Sequence, residues 1–270
     1  MARVEVLAVG KELLIGRTLN TNAHWLGRRL ALLGGMIKEM ATVDDDLGEI
    51  STALRSSLAR RPDALIVTGG LGPTPDDMTL KGVALGLGTR VLASPEAMRL
   101  LKEHYSARGL GSVPMTPARR KMAALPSGAE PLRNPVGTAP GARIEAGGTV
   151  VYCLPGVPAE MKAIFRESVE PEVREMVGPT VRRYVSMKLE GVYESALAPV
   201  IARELKKHPG AYIKSHPRGT REGVSRIELD VAVVGSERKA VDEEAERIAK
   251  AMVREAERLG GALKSARRGR

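Results

Sequence analysis

The strongest constraint on the fold is a short apolar strand that runs directly into a turn almost free of side chains. Residues 65–79 read LIVTGGLGPTPDDMT, in which the apolar run ends at Thr68 and is followed by Gly69, Gly70, Gly72 and Pro73. Backbone N–H groups in such a turn can approach a ligand closely, and the N-terminus of a following helix adds partial positive charge. The segment therefore predicts a site for an anionic, phosphate-bearing ligand.

The same segment carries two carboxylates, Asp76 and Asp77, which we expect to open the following helix. Carboxylates in this place can hold a divalent cation such as Mg²⁺ against the phosphates of a ligand. The alternative is a purely structural corner capped by an aspartate. The segment is neither a P-loop, since it lacks Gly-Lys-Ser/Thr, nor a GxGxxG fingerprint.

Strand and helix patterns alternate through the first 170 residues. Strands are predicted at residues 4–9, 36–43, 64–68, 90–93 and 150–154, and helices at 22–33, 47–60, 77–87, 95–108 and 158–168. This alternation predicts an α/β fold with a mostly parallel sheet and helices on both faces. Because such sheets bind ligands beyond the carboxyl ends of their strands, we expect the turns after Val9, Thr68 and Leu154 to converge on one crevice.

The dipeptide Gly178-Pro179 predicts a boundary between a ligand-binding domain of residues 1–177 and a small α+β domain of residues 180–260. In the second domain, strands are predicted at residues 181–189, 211–215 and 227–234, and helices at 195–207 and 237–259. Four basic residues lie among the last seven of the chain, so residues 261–270 are expected to form a solvated, disordered basic tail.

Composition excludes several classes of protein. No apolar run reaches the length of a membrane span, no signal-peptide pattern is present, and the single cysteine, Cys153, rules out an internal disulfide framework. We therefore expect a cytoplasmic protein without a membrane partner. The formal net charge is +10, but aromatic residues make up only 3% of the chain, so a nucleic-acid partner is not expected. The absence of glutamine suits a thermophile.

Several separated segments together resemble the CinA family. They read GKELLIGRTLNTN, VDDD, TGGLGPTPDDMT, RRKMAALPSGAEPLRNPVGTAPG and LPGVPAEM, and they occur in the family's order. The resemblance implies a first domain similar to the MoaB- and Mog-like molybdopterin-binding domains, a small KH-like second domain as in archaeal-type members, and homo-oligomers. In two-part CinA proteins, nicotinamide-mononucleotide deamidase activity belongs to an additional C-terminal domain, so that activity is not expected here.

The resemblance also implies roles for individual residues. Asp77 matches the aspartate that follows the TGG turn in the relatives, Asp45 the second acidic position, and Lys121 the family's lysine. We accordingly expect Asp77, Asp45 and Lys121 in catalysis, and Asp77, Asp76 and Asp45 as metal ligands. The residues expected to bind the ligand are Gly69, Gly70, Gly72, Thr74, Asn134, Gly137, Pro155 and Gly156.

Each of these assignments has a structural alternative. Asp77 and Asp45 can serve as helix caps, and Lys121 can belong to a solvated basic face. Asn22 is expected only to cap the first helix.

Two functions remain open at this point. One is divalent-metal-dependent hydrolysis of ADP-ribose-type pyrophosphates, in which a glycine turn holds the phosphates and carboxylates hold the metal. The other is binding or transfer of molybdopterin or another pterin phosphate without hydrolysis. Leu71 follows the CinA pattern where the cofactor-biosynthesis relatives usually have threonine, which favours the hydrolase.

Overall fold

The computed structural model of the protein describes residues 2–109 and 114–269. The chain divides into an N-terminal unit, Met1–Gly178, and a C-terminal unit, Pro179–Arg270. No helix in the described part of the chain combines the length and the hydropathy needed to cross a bilayer.

The N-terminal unit is built on a mixed six-stranded sheet. The strands of the whole unit, in chain order, are β1 (Arg3–Val9), β2 (Met36–Val43), β3 (Ala64–Thr68), β4 (Val91–Ala93), β5 (Ala124–Pro126), β6 (Glu130–Leu132), β7 (Gly141–Ala146) and β8 (Thr149–Leu154). The sheet order is β2-β1-β3-β8-β7-β6, and β4 pairs with β5 in a separate antiparallel ribbon.

The predicted α/β class is confirmed, with two corrections to the sheet. The strands β2, β1, β3 and β8 are mutually parallel, but β7 and β6 join antiparallel to them, so the sheet is mixed. Only two residues link β7 to β8, and a connection that short permits an antiparallel pair alone. The strand predicted at residues 90–93 lies outside the main sheet because it pairs with β5.

Helices lie on both faces of the sheet. They are α1 (Lys11–Leu14), α2 (Thr21–Leu33), α3 (Leu47–Ala59), α4 (Thr79–Gly86), α5 (Pro95–Ala107), α6 (Pro117–Lys121), α7 (Pro158–Ile164) and α8 (Glu170–Val177). A single π-helical turn, Phe165–Val169, joins α7 to α8. Between α5 and β7 the chain forms α6, β5 and β6, and residues 110–113 lie outside the described residues.

The alternation of side chains along the central strands separates two hydrophobic cores. On one face, Leu65 and Val67 of β3 belong to a cluster with Leu54 of α3. On the other face, Ile66 of the same strand belongs to a cluster with Leu26 of α2. Complete burial of each such side chain contributes about 1.5–3 kcal/mol, so the sheet is held between two helical layers.

The helix predicted from residue 77 begins two residues later, at Thr79. The side chain of Asp77 turns back and accepts a hydrogen bond from the backbone N–H of Thr74 at 2.8 Å. This local bond competes with helix formation, so Asp76 and Asp77 lie in a turn and the position before the helix is Met78.

The C-terminal unit is an antiparallel sheet with two helices. Its elements are β9 (Val181–Glu190), α9 (Glu194–Lys207), β10 (Ala211–Arg221), β11 (Val224–Gly235), α10 (Arg238–Arg258) and β12 (Ala262–Gly269), and the sheet order is β10-β11-β9-β12. Val185 of β9 and Leu229 of β11 share one core cluster with Ile248 and Met252 of α10. The unit is therefore of the α+β type.

The expectation of a disordered basic tail at residues 261–270 is wrong. Residues Ala262–Gly269 form β12, which pairs antiparallel with β9 along most of its length. The basic side chains find acidic partners, since Arg268 Nε lies 2.6 Å from Glu246 of α10 and Lys264 Nζ lies 3.5 Å from Glu190 of β9. Pairing to a neighbouring strand, rather than composition, decides the state of this segment.

Removal of residues 262–270 from the full chain should destabilise the C-terminal unit. The truncation strips the hydrogen-bonded partner from one side of β9, so the unfolding midpoint of this unit should fall by more than about 8 °C in scanning calorimetry. The matched control is Arg268→Ala with Lys264→Ala, which keeps the strand and removes only exposed ion pairs worth about 1 kcal/mol or less. Equal effects of the truncation and the control would contradict this role of β12.

Candidate functional site

A cavity of about 590 Å³ lies at the carboxyl ends of β1, β3 and β8. It is lined by Val9 and Gly10 at the end of β1, by residues 68–73 at the end of β3, and by Pro155 and Gly156 directly after β8. The three turns thus converge, as the sequence predicts. The chain leaves β1 to form β2 on one side and then returns to form β3 on the other, so the cavity lies at the topological switch point of the sheet.

The turn at residues 69–73, here called the glycine turn, has no room for side chains at its glycines. Gly69 and Gly70 have φ values of +110° and +61°. A Cβ at Gly69 would lie 2.1 Å from the carbonyl oxygen of Val9, and one at Gly70 would lie 2.4 Å from Thr79 Oγ1. The Cα of Gly69 would also be 3.4 Å from a Cβ on Gly156. The backbone of Gly69 therefore packs directly against that of Val9, whereas a Cβ at Gly156 would make only an ordinary contact. Gly69, Gly70 and Gly156 line the cavity without side chains.

Hydrogen bonds from polar side chains hold the turns together. Thr68 Oγ1 donates to the carbonyl of Pro155 at 3.0 Å, and Thr79 Oγ1 donates to the carbonyl of Gly69 at 2.7 Å. Asn22 Nδ2 donates to Thr68 Oγ1 at 3.2 Å and to the carbonyl of Gly156 at 2.8 Å. The ends of β3 and β8 are thereby fixed to each other and to α2.

The expectation that Asn22 only caps a helix is wrong. The cap of α2 is Asn20, whose side chain accepts from the N–H of Ala23 at 3.0 Å. Asn22 lies within the helix, is only 9% exposed, and lines the cavity. A signal was present in the sequence: positions 22, 26 and 30 follow helical spacing, so a polar residue shares the stripe of the buried Leu26 and Leu30.

One wall of the cavity is acidic. Glu12, Asp45, Asp76 and Asp77 all line it, and no lysine, arginine or histidine does so within the described part of the chain. Asp45 Oδ2 accepts from the N–H of Lys11 at 2.9 Å. Burial is the main cause that raises the pKa of Asp45, and repulsion by Glu12, Asp44 and Asp76 adds to it. We call Glu12, Asp45, Asp76 and Asp77 the acidic wall.

Asp77 supports the glycine turn as well as the acidic wall. Its carboxylate accepts from both the N–H and the hydroxyl of Thr74, and it occupies the space into which a Cβ at Gly72 would project, at 2.6 Å. Hydrogen bonding from Thr74 is also the largest cause that lowers the pKa of Asp76. The sequence predicts either a metal ligand or a helix cap at Asp77. The structure adds a third role for Asp77, which is to close a turn.

Lys121 reaches the glycine turn from behind. Its Nζ donates to the carbonyl of Thr74, and burial is the main cause that lowers the pKa of Lys121. With Gly70, Gly72 and Asp77 it lines a second space of about 40 Å³, whereas it does not line the main cavity. The structure therefore brings Lys121 to the predicted site within one chain, but against the backbone of the turn.

The predicted ligand-binding residues divide into two groups. Gly69, Gly70, Gly72, Pro155 and Gly156 line the main cavity. Thr74, Asn134 and Gly137 do not line it, and they position residues that do.

Glu160 is a further residue at the cavity, and the sequence does not predict its place there. The buried side chain of Asn134 accepts from the N–H groups of Val136 and Gly137 and donates to Glu160 Oε2 at 2.6 Å. Glu160 lines the cavity from the first turn of α7. An acidic residue in the first turn of a helix ordinarily indicates an interaction with the helix dipole, which is why the pattern LPGVPAEM did not single it out.

The chemistry of the acidic wall suits a divalent cation. Carboxylate oxygens are the ligands that Mg²⁺ and Ca²⁺ prefer. Among residues 2–109 and 114–269, however, no group of three or more histidine, cysteine, aspartate or glutamate side chains is arranged to hold a metal ion. Asp45, Asp76 and Asp77 share a wall without forming a closed cluster, so a cation there would need ligand oxygens or water to complete its coordination.

Cys153, the single cysteine, takes no part in the site. It is fully buried in the core on β8, and burial raises the pKa of its thiol to about 12. A thiol in this environment stays protonated and unreactive.

Comparison with known proteins is decisive for the family. A family profile described as "Probable molybdopterin binding domain" matches residues 5–175, which include all the residues that line the main cavity. The chain belongs to this molybdopterin-binding domain family. Its resemblance to CinA proteins is likewise confirmed. The crystal structure of a CinA protein of unknown function from Thermoplasma acidophilum is 40% identical and covers 63% of this chain and 98% of that chain, with a TM-score of 0.58.

Relatives of the same length occur in other organisms. A protein from Aeropyrum pernix is 44% identical over 261 residues, which are 97% of this chain and 96% of the relative. A protein from Pyrobaculum arsenaticum is 45% identical over 264 residues, which are 96% of this chain and 94% of the relative. The similarity to these two proteins therefore extends through the C-terminal unit.

The substitution Asp45→Asn should stabilise the ligand-free protein at neutral pH, by about 2 °C in the unfolding midpoint. The pKa of Asp45 is raised in the folded state, so its ionised form costs stability above that pKa. Below the ordinary pKa of aspartate, both folded and unfolded states are protonated and the cost vanishes. Thermal unfolding at several pH values should thus show a gain that shrinks on acidification.

Asp46→Asn is the matched control for this experiment. Asp46 caps α3 by accepting from Gly48 and Glu49, and asparagine caps equally well. A gain in the control equal to that of Asp45→Asn, or a gain that grows at low pH, would contradict the repulsion assigned to Asp45.

Proposed function

We propose that the N-terminal unit binds a phosphate-bearing pterin of the molybdopterin type in the main cavity. The observation that carries this proposal is the side-chain-free surface formed by Gly69, Gly70 and Gly156 at the switch point of the sheet. Backbone N–H groups in such a turn can approach phosphate oxygens closely, although the N–H of Gly69 itself donates to the carbonyl of Leu154 at 3.0 Å.

The size of the cavity and the family both support this ligand. A volume of about 590 Å³ lies within the range of small-molecule and cofactor sites, and it accommodates a fused ring with a phosphorylated side chain. The family match covers the whole cavity and carries molybdopterin in its description.

The acidic wall supports a role for a divalent cation in this binding. A phosphate placed beside Glu12, Asp45, Asp76 and Asp77 would be repelled by their charges. A cation held by Asp45 and Asp76 would neutralise both the wall and the phosphate. Lys121, whose charge lies behind the glycine turn, adds to the attraction without contacting the cavity.

The acidic wall also favours a second candidate, which is metal-dependent hydrolysis of ADP-ribose-type pyrophosphates. Carboxylates and a phosphate-binding turn then share one cavity, as this reaction requires. Asp45, with its pKa held above the ordinary value, is suited to accept a proton from an attacking water. A divalent cation would supply charge stabilisation for the leaving phosphate.

The substitution Gly70→Ala should weaken binding of a pterin phosphate such as neopterin monophosphate by more than about 10-fold, in the presence of Mg²⁺. The added methyl group would displace Thr79 Oγ1 and thereby the carbonyl of Gly69. Isothermal titration calorimetry on the full chain measures the effect.

Gly88→Ala is the matched control for the glycine turn. Gly88 also has a positive φ, +67°, but a Cβ there would meet nothing within 4 Å, and the residue does not line the cavity. The control therefore introduces the backbone strain of an alanine at positive φ without displacing a neighbouring atom such as Thr79 Oγ1. Unchanged affinity of a folded Gly70→Ala protein would remove the glycine turn from the site, and no binding of pterin phosphates by the unsubstituted protein would overturn the proposed function.

The variant Asp77→Asn tests the second candidate. Asparagine can still accept from Thr74, so the turn should persist, while the loss of charge should reduce Mg²⁺-dependent hydrolysis of ADP-ribose by about 100-fold or more. Asp63→Asn is the control, because Asp63 also accepts a backbone N–H, that of Arg3, away from the cavity. Undiminished release of AMP by Asp77→Asn, measured by chromatography, would limit Asp77 to its structural role.

A further inference from the structure

Glu160 is held in place by a loop that is distant from it in sequence. Asn134 Nδ2 donates to Glu160 Oε2 at 2.6 Å, and a Cβ built on Gly137 would lie 2.0 Å from the Glu160 Cδ. The loop that carries Asn134 and Gly137 therefore packs its backbone directly against the carboxylate. A side chain at position 137 would displace it, so the absence of one there is a condition for the observed position of Glu160.

The direction of the Asn134 bond is settled by the groups around it. Asn134 Oδ1 accepts from two backbone N–H groups, those of Val136 at 3.2 Å and Gly137 at 2.7 Å. Its Nδ2 donates to the carbonyl of Ala139 at 2.8 Å in addition to Glu160. Because neither backbone partner of Oδ1 can act as an acceptor, the amide cannot be reversed, and Glu160 must be an acceptor.

Stabilisation of a helix does not explain this arrangement. A glutamate in the third position of a helix can reach back to the N-cap N–H in a capping box, but the cap of α7 is Val157 and has no side-chain hydrogen bond. Glu160 instead turns away from its own helix, toward Asn134 and the cavity. The carboxylate is thus built into the site.

The cavity itself provides no cation for this carboxylate. Within the described part of the chain, Glu160 has no ion pair, its one side-chain hydrogen bond is from Asn134, and no basic residue lines the cavity. A carboxylate has about four acceptor positions, so several remain available on the cavity side. A carboxylate with such acceptor positions and no basic side chain beside it can accept hydrogen bonds from N–H donors of a ligand.

We propose that Glu160 recognises the ring of the ligand. Its carboxylate accepts hydrogen bonds from the exocyclic amino group and the adjacent ring N–H of a 2-amino-4-oxopyrimidine, the edge that pterins and guanine share. Adenine lacks this pair of donors, because its ring nitrogen beside the amino group is an unprotonated acceptor that would repel the carboxylate. The inference rests on the proposed function and names the ring that the site selects over adenine.

The test compares ligands with and without the 2-amino group. Neopterin monophosphate is set against its lumazine counterpart, in which an oxo group replaces the amino group, and GMP is set against IMP, with AMP as a reference. Calorimetric titrations use the full chain with Mg²⁺. The unsubstituted protein should bind each amino compound at least about 10-fold more tightly than its partner, as expected for a hydrogen bond to a charged group.

The substitution Glu160→Gln should abolish this preference. Glutamine can keep the bond from Asn134 through its oxygen and then presents an NH₂ group where the ligand's amino group would lie. Affinity for neopterin monophosphate should fall by about 30-fold, while affinity for the lumazine counterpart should stay within about 3-fold. Glu160→Asp keeps the charge but shortens the side chain, so it should also lose the preference, which separates recognition from a general charge effect.

Glu167→Gln is the matched control, since Glu167 pairs with Arg133 outside the cavity and should leave all affinities unchanged. Tighter binding of neopterin monophosphate than of GMP would assign the ring to a pterin, and the reverse order to a guanine nucleotide. Equal affinity of the unsubstituted protein for the amino and oxo compounds, unaltered in Glu160→Gln, would overturn the role of Glu160 and leave pterin-phosphate binding intact. Failure of the unsubstituted protein to bind any of these phosphates would instead overturn the proposed function.

Discussion

The contact between two backbone turns is the constraint on which the rest of the site depends. Gly69 and Gly156 approach each other at the ends of β3 and β8, and Asn22 and Thr68 tie the two turns together through buried hydrogen bonds. A Cβ at Gly69 would overlap the carbonyl of Val9, so the end of β1 is part of the same contact. Three strand ends are thus held close together, and a cavity with a polar backbone surface lies beyond them.

Around this backbone surface, the side chains divide the cavity into regions of different chemistry. The acidic wall collects carboxylates at one side, where burial above all, and then repulsion between carboxylates, raises the pKa of Asp45. Glu160, held by Asn134, adds a separate carboxylate from the first turn of α7. Lys121 contributes positive charge only from behind the glycine turn. Such a cavity suits a ligand that brings an anion, a cation and N–H donors together.

Much of the N-terminal fold was predictable because its signals are local. The strands at residues 36–43 and 64–68 have the predicted bounds, since the first ends at a run of aspartates and the second at a pair of glycines. The start of α4 was not predictable from the carboxylates before it, because Asp77 bonds back to Thr74. The charge of residues 261–270 alone predicts a disordered tail. A strand forms there because β9 offers an unpaired edge and Glu246 supplies a counter-charge.

The sequence by itself determined the α/β class, the glycine turn, and the choice of Asp45, Asp76 and Asp77 as candidate site residues, because each depends on neighbours within a few positions. Only the tertiary structure decided the mixed sheet, the buried role of Asn22, and the position of Glu160. Those features depend on partners that are distant in the chain, such as Asn22 with Gly156 and Asn134 with Glu160. Helical spacing places Asn22 on the buried stripe of its helix, but it does not name the partner of its hydrogen bonds. Such bonds exist only once the strands have been ordered in the sheet.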